Sequence, residues 1–193
     1  MNIFITGGCG YVGTVLTKEL LKCGHSITIL DQQWFGNYLE PSEKLIIIKE
    51  SILSLEKISL MNFDCVIHLA NIANDPAVDL DQTLSWEVNV LASQQLADKI
   101  RREKVKHLIY ASSGSVYGIK EETEVTEDLS LVPISAYNKT KMVAERVFLS
   151  YQNDFQVHCI RPATVCGYSP RMRLDVSVNM LTFQALSKNK INV

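Results

Sequence analysis

An apolar run, Asn2-Ile3-Phe4-Ile5-Thr6, passes without a spacer into Gly7-Gly8-Cys9-Gly10-Tyr11-Val12-Gly13 and then into an amphipathic stretch, Val12 to Lys22. Strand, glycine turn and helix in immediate succession constrain this chain more than any other feature. Gly7 permits the sharp turn, Gly10 lets the backbone approach a pyrophosphate, and Gly13 lets the helix pack close to the strand. The N–H groups of the first helical turn and the positive end of the helix dipole then face an anion. A second strand, Ser26 to Leu30, ends in Asp31. A carboxylate at such a strand tip accepts hydrogen bonds from an adenosine ribose. A glycine pattern alone is weak; strand, turn, helix, strand and acid in this order read as a dinucleotide site.

With 193 residues the chain buries a sizeable core, and one domain is the natural count. The formal net charge of −2 is spread over mixed signs without a basic stripe, which argues against nucleic acid or an anionic membrane as the main partner. No basic segment precedes the first apolar run, and the glycines interrupt that run far short of a membrane span. A cytoplasmic protein is expected. Five cysteines lack any framework spacing, which fits a reducing compartment. His25, His68, His107 and His158 have no partner at metal-ligand spacing, so no metal is expected and each reads as a buried or surface histidine.

Along the chain, short apolar runs alternate with helical patterns. Strands are expected at Leu45–Lys49, Cys65–Ala70, Lys106–Ala111 and Gln156–Ile160. Helices are expected at Ser54–Met61, Thr83–Glu103, from Ala136 to about Gln152, and at Leu174–Ser187. This alternation predicts an α/β fold, a doubly wound parallel sheet of Rossmann type with right-handed crossovers. Gly7, Asp31, Ala70, Ser113 and Arg161 fall just past strand ends and are expected to line one crevice. Lys190 to Val193 look like a strand just beginning, so a fragment is expected, with a dinucleotide-binding domain over 1–170 and an incomplete second region starting at 171–193.

Tyr137 and Lys141 stand four apart at the start of a helix, hence on one face. A phenol with a pKa near 10 is a poor base at neutral pH, and a neighbouring ammonium favours the phenolate. Such a pair can take a proton from an alcohol. Ser113, at the tip of the fifth strand, is placed to hydrogen-bond the reacting oxygen. An ordinary solvated Tyr/Lys pair is the plain alternative.

Thr6 to Gly13, His68-Leu69-Ala70-Asn71, Asn89-Val90, Ser112 to Gly118, Tyr137 to Lys141 and Arg161-Pro162 together resemble the extended short-chain dehydrogenase/reductases. Within them the chain is similar to the NAD-dependent nucleotide-sugar epimerase/dehydratase group, from residue 2 to the end. The resemblance implies an enzyme that binds NAD, with the Tyr11 and Val12 amides beside Gly7, Gly10 and Gly13 on the pyrophosphate. It implies Asp31 on the adenosine ribose, Ser51 and Ile52 flanking adenine, Leu69, Ala70 and Asn71 passing beside the cofactor, and Asn89 supporting it. Tyr137 would be the base, Lys141 would hold the nicotinamide ribose and tune Tyr137, and Ser113 would bind the sugar oxygen. Pro162 and Ala163 would lie by the nicotinamide, with Thr164 near the substrate. Leu69 and Ala70 read equally as simple core, and Asn89 as a helix hydrogen-bonder.

The chain departs from that family's pattern at Ser51, commonly Asp, at Thr164, often Asn, and at Cys166, usually Tyr. Gly114-Ser115 stand where 4,6-dehydratases carry an acidic pair, which argues against that elimination. Asp31 repels a 2′-phosphate and Gln32 and Gln33 offer it no cation, so NAD is expected over NADP. The reading is an epimerase acting on a nucleotide-activated sugar; envelope or surface polysaccharide synthesis is what the resemblance implies. A dehydratase, a keto-sugar reductase or an NAD-binding module without turnover are the alternatives. Helices Thr83–Glu103 and Ala136–Gln152 resemble the pair that builds the family's dimer interface, so a homodimer is expected, with Leu96, Ile100, Val143 and Val147 contributing or else facing the sheet.

Overall fold

A computed structural model describes residues 1–191. Six strands, β1 (Asn2–Thr6), β2 (Ser26–Asp31), β3 (Leu45–Lys49), β4 (Cys65–His68), β5 (His107–Ala111) and β6 (Gln156–Ile160), form one sheet in the order β3-β2-β1-β4-β5-β6. Every pairing is parallel. The doubly wound architecture expected from the strand–helix alternation is therefore present. The order reverses between β1 and β4, the switch point at which such sheets open a ligand crevice.

Alternation of side chains along each strand divides the core between two faces. Ile3, Ile5, Ile27, Ile29 and Ile67 pack against Leu16, Leu20 and Leu21 of α1 (Tyr11–Lys22). Phe4, Val66, Leu108 and Tyr110 pack on the other face with Leu96, Ile100, Ala144 and Phe148. Those last residues come from α4 (Ala92–Arg102) and α5 (Ala136–Leu149), reached after the short α2 (Asp75–Leu80) and α3 (Gln82–Trp86). His68 is buried between them, hydrogen-bonded to Thr6 at 2.6 Å and to Ser93 at 3.2 Å. Burial lowers its pKa to about 3, so it is neutral at physiological pH.

Element boundaries differ from expectation where side chains compete for backbone groups. The helix expected over Ser54–Met61 is a 3-10 segment, Ile52–Lys57, because the Ser51 hydroxyl caps the Leu53 N–H and starts the turn earlier. The single helix expected over Thr83–Glu103 is interrupted by a π-helical turn, Glu87–Leu91, between α3 and α4. The last helix, α6, runs Ser177–Lys188. Lys190 and Ile191 are not in a strand; Asn192 and Val193, the rest of the expected strand, lie outside the described residues. No helix among the described residues is long and apolar enough to cross a membrane.

Gly13 shows how tightly α1 is seated: a Cβ there would stand 2.6 Å from the Gly7 carbonyl oxygen and 2.6 Å from Gly8 Cα. Backbone cannot yield as a flexible side chain does. Gly13→Ala is expected to cost about 1–3 kcal/mol of stability, read as a lower urea midpoint at unchanged slope; an unchanged midpoint contradicts the packing described.

Candidate active site

The glycine turn closes against the tip of β4. Gly7 has φ +74°, and a Cβ on it would lie 2.5 Å from the Ala70 nitrogen, so only glycine brings these backbones together. The first turn of α1 carries neither a capping side chain nor an acidic residue, which leaves its positive end uncompensated. A Cβ at Gly10 would meet only the Gly7 carbonyl, at 3.2 Å, so that side of the turn is open. Asp31 Oδ2 accepts from the Cys9 N–H at 3.0 Å and Oδ1 from the Gln33 N–H at 2.6 Å. The carboxylate thus ties the turn to the end of β2. Val12 is exposed beside it. Ser51 accepts a 3.0 Å bond from Gln32, whereas Ile52 is buried in the core rather than presented at the surface.

Beyond β4, half-buried Leu69 and Ala70 each pack against one face of the core. Asn89, fully buried on the π-helical turn, acts as a clamp. Its Oδ1 accepts from Ile72 N at 2.8 Å; its Nδ2 donates to Ile72 O at 3.1 Å and to Thr140 Oγ1 at 3.1 Å. The wider turn rotates this amide inward, a common use of π geometry near functional sites. Asn89 therefore holds the crossing segment, in line with the helix hydrogen-bonder alternative. Asn71 is different: both side-chain amide atoms are buried without a hydrogen-bond partner. An orphaned amide costs free energy until something pairs with it, so it marks a place for a polar ligand.

Tyr137 and Lys141 sit one turn apart at the start of α5, whose Ser135 cap accepts from the Asn138 N–H at 3.2 Å. They are not a solvated pair. Lys141 is 4% exposed; its Nζ donates to the Ala111 carbonyl at 2.8 Å and lies 5.9 Å from the centre of the Tyr137 ring. Desolvation drives the Lys141 pKa down to about 7. Desolvation also pushes Tyr137 up to about 12, with Arg173 favouring the phenolate and Asp75 opposing it. The Lys141 amine is directed at a carbonyl rather than at the Tyr137 hydroxyl.

Ser113 caps the 3-10 turn Gly114–Tyr117, and its Oγ stands 2.7 Å from Ser115 Oγ, which donates to Asn138 Oδ1 at 2.6 Å. Ser115 and Asn138, absent from the sequence expectations, connect Ser113 to the helix carrying Tyr137. Gly114 N donates to the Pro162 carbonyl at 2.8 Å, which sets Ser113 beside Pro162 and Ala163. Thr164 lies exposed on the segment that follows. Arg161 does not line the crevice as expected. It turns inward to fully buried Glu145, with Nη2 2.5 Å from Oε1, and Nη1 donates to Tyr117 Oη at 2.7 Å. Ser112 Oγ donates to Glu145 Oε2 at 2.6 Å. Burial opposes the charge on Glu145, yet Arg161 and Ser112 hold its pKa below the usual value. This clamp fixes the ends of β5 and β6 to α5. Its sequence signal was a glutamate one turn beyond Lys141.

The Tyr11 side chain makes a second connection that sequence reading missed. Its hydroxyl donates to the Gly167 carbonyl at 2.7 Å and accepts from Asn179 Nδ2 at 3.0 Å, while Ser169 Oγ donates to Tyr11 O at 2.9 Å. Asn74 holds Asp175 at 2.9 Å, and Asp175 pairs with Arg173. The segment after β6 is thereby fastened to the glycine turn and to the start of α2.

A sequence profile described as the NAD dependent epimerase/dehydratase family matches residues 3–190. An uncharacterised UDP-glucose epimerase of Bacillus subtilis is 29% identical over all of this chain and 65% of its own length. A UDP-glucose 4-epimerase of Corynebacterium glutamicum is 30% identical over 80% of this chain, which covers 48% of that protein. Among solved structures, a UDP-glucuronic acid 4-epimerase from Bacillus cereus in complex with NAD superposes with a TM-score of 0.82 at 28% identity, covering 97% of this chain and 63% of that one. The chain thus spans about half to two thirds of the length of these relatives.

The low pKa of Lys141 has a signed consequence. Between pH 7 and 10.5 the unfolded chain holds a proton that the folded protein lacks, so stability from this group rises with pH across that window. Comparing wild type with Lys141→Met in urea, the stability advantage of the variant is expected to shrink from pH 7 to 10. A difference constant with pH contradicts the burial described.

Proposed function

We propose, since this chain belongs to the NAD dependent epimerase/dehydratase family, that it is the cofactor-binding part of an enzyme that epimerises a nucleotide-activated sugar by transient oxidation of a ring hydroxyl. The observation that carries this reading is the convergence of Ser113, Tyr137 and buried Lys141 beside the Gly114–Pro162 contact. The residues present fit NAD: an open glycine turn, an uncompensated helix N-terminus, Asp31 at the end of β2 and the orphaned Asn71 amide. When bound, NAD supplies the hydride acceptor and donor.

The chain's own residues do the rest. Tyr137 Oη takes the proton of the ring hydroxyl, and Ser113 Oγ holds that oxygen. Lys141 stabilises the phenolate: moving a pKa from about 12 toward 7 requires roughly 7 kcal/mol at 1.36 kcal/mol per unit. A cationic Lys141 and Arg173, together with the charge of an oxidised nicotinamide in a dry crevice, are of the right sign and kind to supply it. Residues 171–193 begin the substrate-binding region on this reading, and the absence of an acidic pair at Gly114-Ser115 favours epimerisation over 4,6-dehydration.

The protein is further proposed to act in the cytoplasm as a homodimer. Leu96 and Ile100, however, are fully buried toward the sheet, so they belong to the core. Val147 also packs against the core, whereas Trp86 and Leu91 are exposed and Val143 is half-buried. Light scattering is expected to give twice the chain mass; a monomeric mass at micromolar concentration refutes the dimer.

Tyr137→Phe is expected to lower turnover by a factor of about 10²–10⁴ while leaving the NAD dissociation constant within about twofold. The assay screens sugar nucleotides with the full-length protein and follows isomer composition by NMR. Retained turnover rules out the phenol as base. Comparable affinity for NADP rules out the part assigned to Asp31.

A further inference from the structure

Two arginines on the segment after β6, which Ser169 ties to the Tyr11 carbonyl, are engaged differently. Arg173 pairs with Asp175, itself fixed by Asn74. Arg171 forms no ion pair among the described residues. Its guanidinium makes one long bond, 3.4 Å from Nη1 to the Met172 carbonyl, and its Cζ stands 3.8 Å from the centre of the Phe35 ring. Arg171, Phe35, Tyr38, Arg173 and Asp175 line a cavity of about 360 Å³. Burial and the like charge of Arg173 lower the Arg171 pKa, against the attraction of Asp175, Tyr38 and Asp31, yet a guanidinium stays charged at neutral pH.

A cation that is stacked, partly desolvated and unpaired beside a cavity has an orientation fixed in advance and donors to spare. The wall opposite, Phe35 and Tyr38, belongs to the loop after β2, the strand that ends in Asp31. The glycine turn itself, residues 7–13, contains no lysine or arginine. A pyrophosphate bound there has only N–H groups and a helix dipole to offset its charge, and a nearby guanidinium completes the set.

We infer that Arg171, steadied on Phe35, is an anion-binding residue of the cofactor site that holds a phosphate of the bound dinucleotide from a segment outside the glycine turn. The inference rests on the NAD reading above. It makes the segment after β6 part of the cofactor site as well as the start of the substrate region.

The test is isothermal titration of the intact protein with NAD, with ADP and with UDP, for wild type, Arg171→Met, Arg171→Lys and Phe35→Leu. Arg171→Met is expected to weaken NAD and ADP alike by about five- to tenfold, with a shallower salt dependence and no change for UDP. Arg171→Lys, which keeps the charge but not the fork, recovers part of the loss, and Phe35→Leu, at an exposed ring, loses about two- to threefold. Unchanged NAD and ADP affinities in folded Arg171→Met overturn the inference, as does weakening of UDP alone. Should Arg171→Met fail to fold, unaltered NAD affinity in both other variants overturns it. A wild-type protein indifferent to NAD overturns the cofactor reading itself, a distinct result.

Discussion

The site depends on one close approach, that of the Gly7 backbone to Ala70 at the point where the sheet changes direction. A side chain on Gly7 would push the β1 turn away from the tip of β4. Without that contact the start of α1, the crossing segment 69–72 and Asp31 would no longer share one edge. The hydrogen bonds around it follow from this proximity: Asp31 reaches the turn through Cys9 N, and Asn89 secures Ile72. Tyr11 then carries the connection outward to Gly167 and Asn179.

Charge burial is the second organising fact. Buried Glu145 pairs with partly buried Arg161 and accepts from Ser112, which fixes the ends of β5 and β6 relative to α5. Removing one partner of such a pair leaves an uncompensated charge, so the clamp tolerates little change. Lys141 is buried without a carboxylate and bears the consequence in its pKa. An ammonium poised near neutrality over a tyrosine is of little use to stability. It suits a site that completes its electrostatics only when a ligand enters.

Much of this was legible in the sequence. Apolar runs bounded by polar and turn-forming residues placed β3 and β6 to the residue, although both are half-exposed edge strands of the sheet. The glycine turn and the Tyr137/Lys141 spacing encode their geometry locally, so both were visible. What escaped was set by distant partners. The π-helical turn exists for the sake of Asn89 and its contacts to Ile72 and Thr140, and Arg161 turns inward because Glu145 is waiting there. Arg171 on Phe35 joins residues more than a hundred positions apart, which no spacing rule reveals. The desolvation that raises the Tyr137 pKa and lowers that of Lys141 is likewise set by packing, which the spacing of the two residues does not reveal.

The most direct measurement is a crystal structure of the protein soaked with NAD. The account predicts the pyrophosphate on the N–H groups of Tyr11 and Val12 at the glycine turn, and the nicotinamide between Pro162 and the Tyr137 hydroxyl. A dinucleotide seated elsewhere on the sheet, or a nicotinamide turned away from Tyr137, would contradict it.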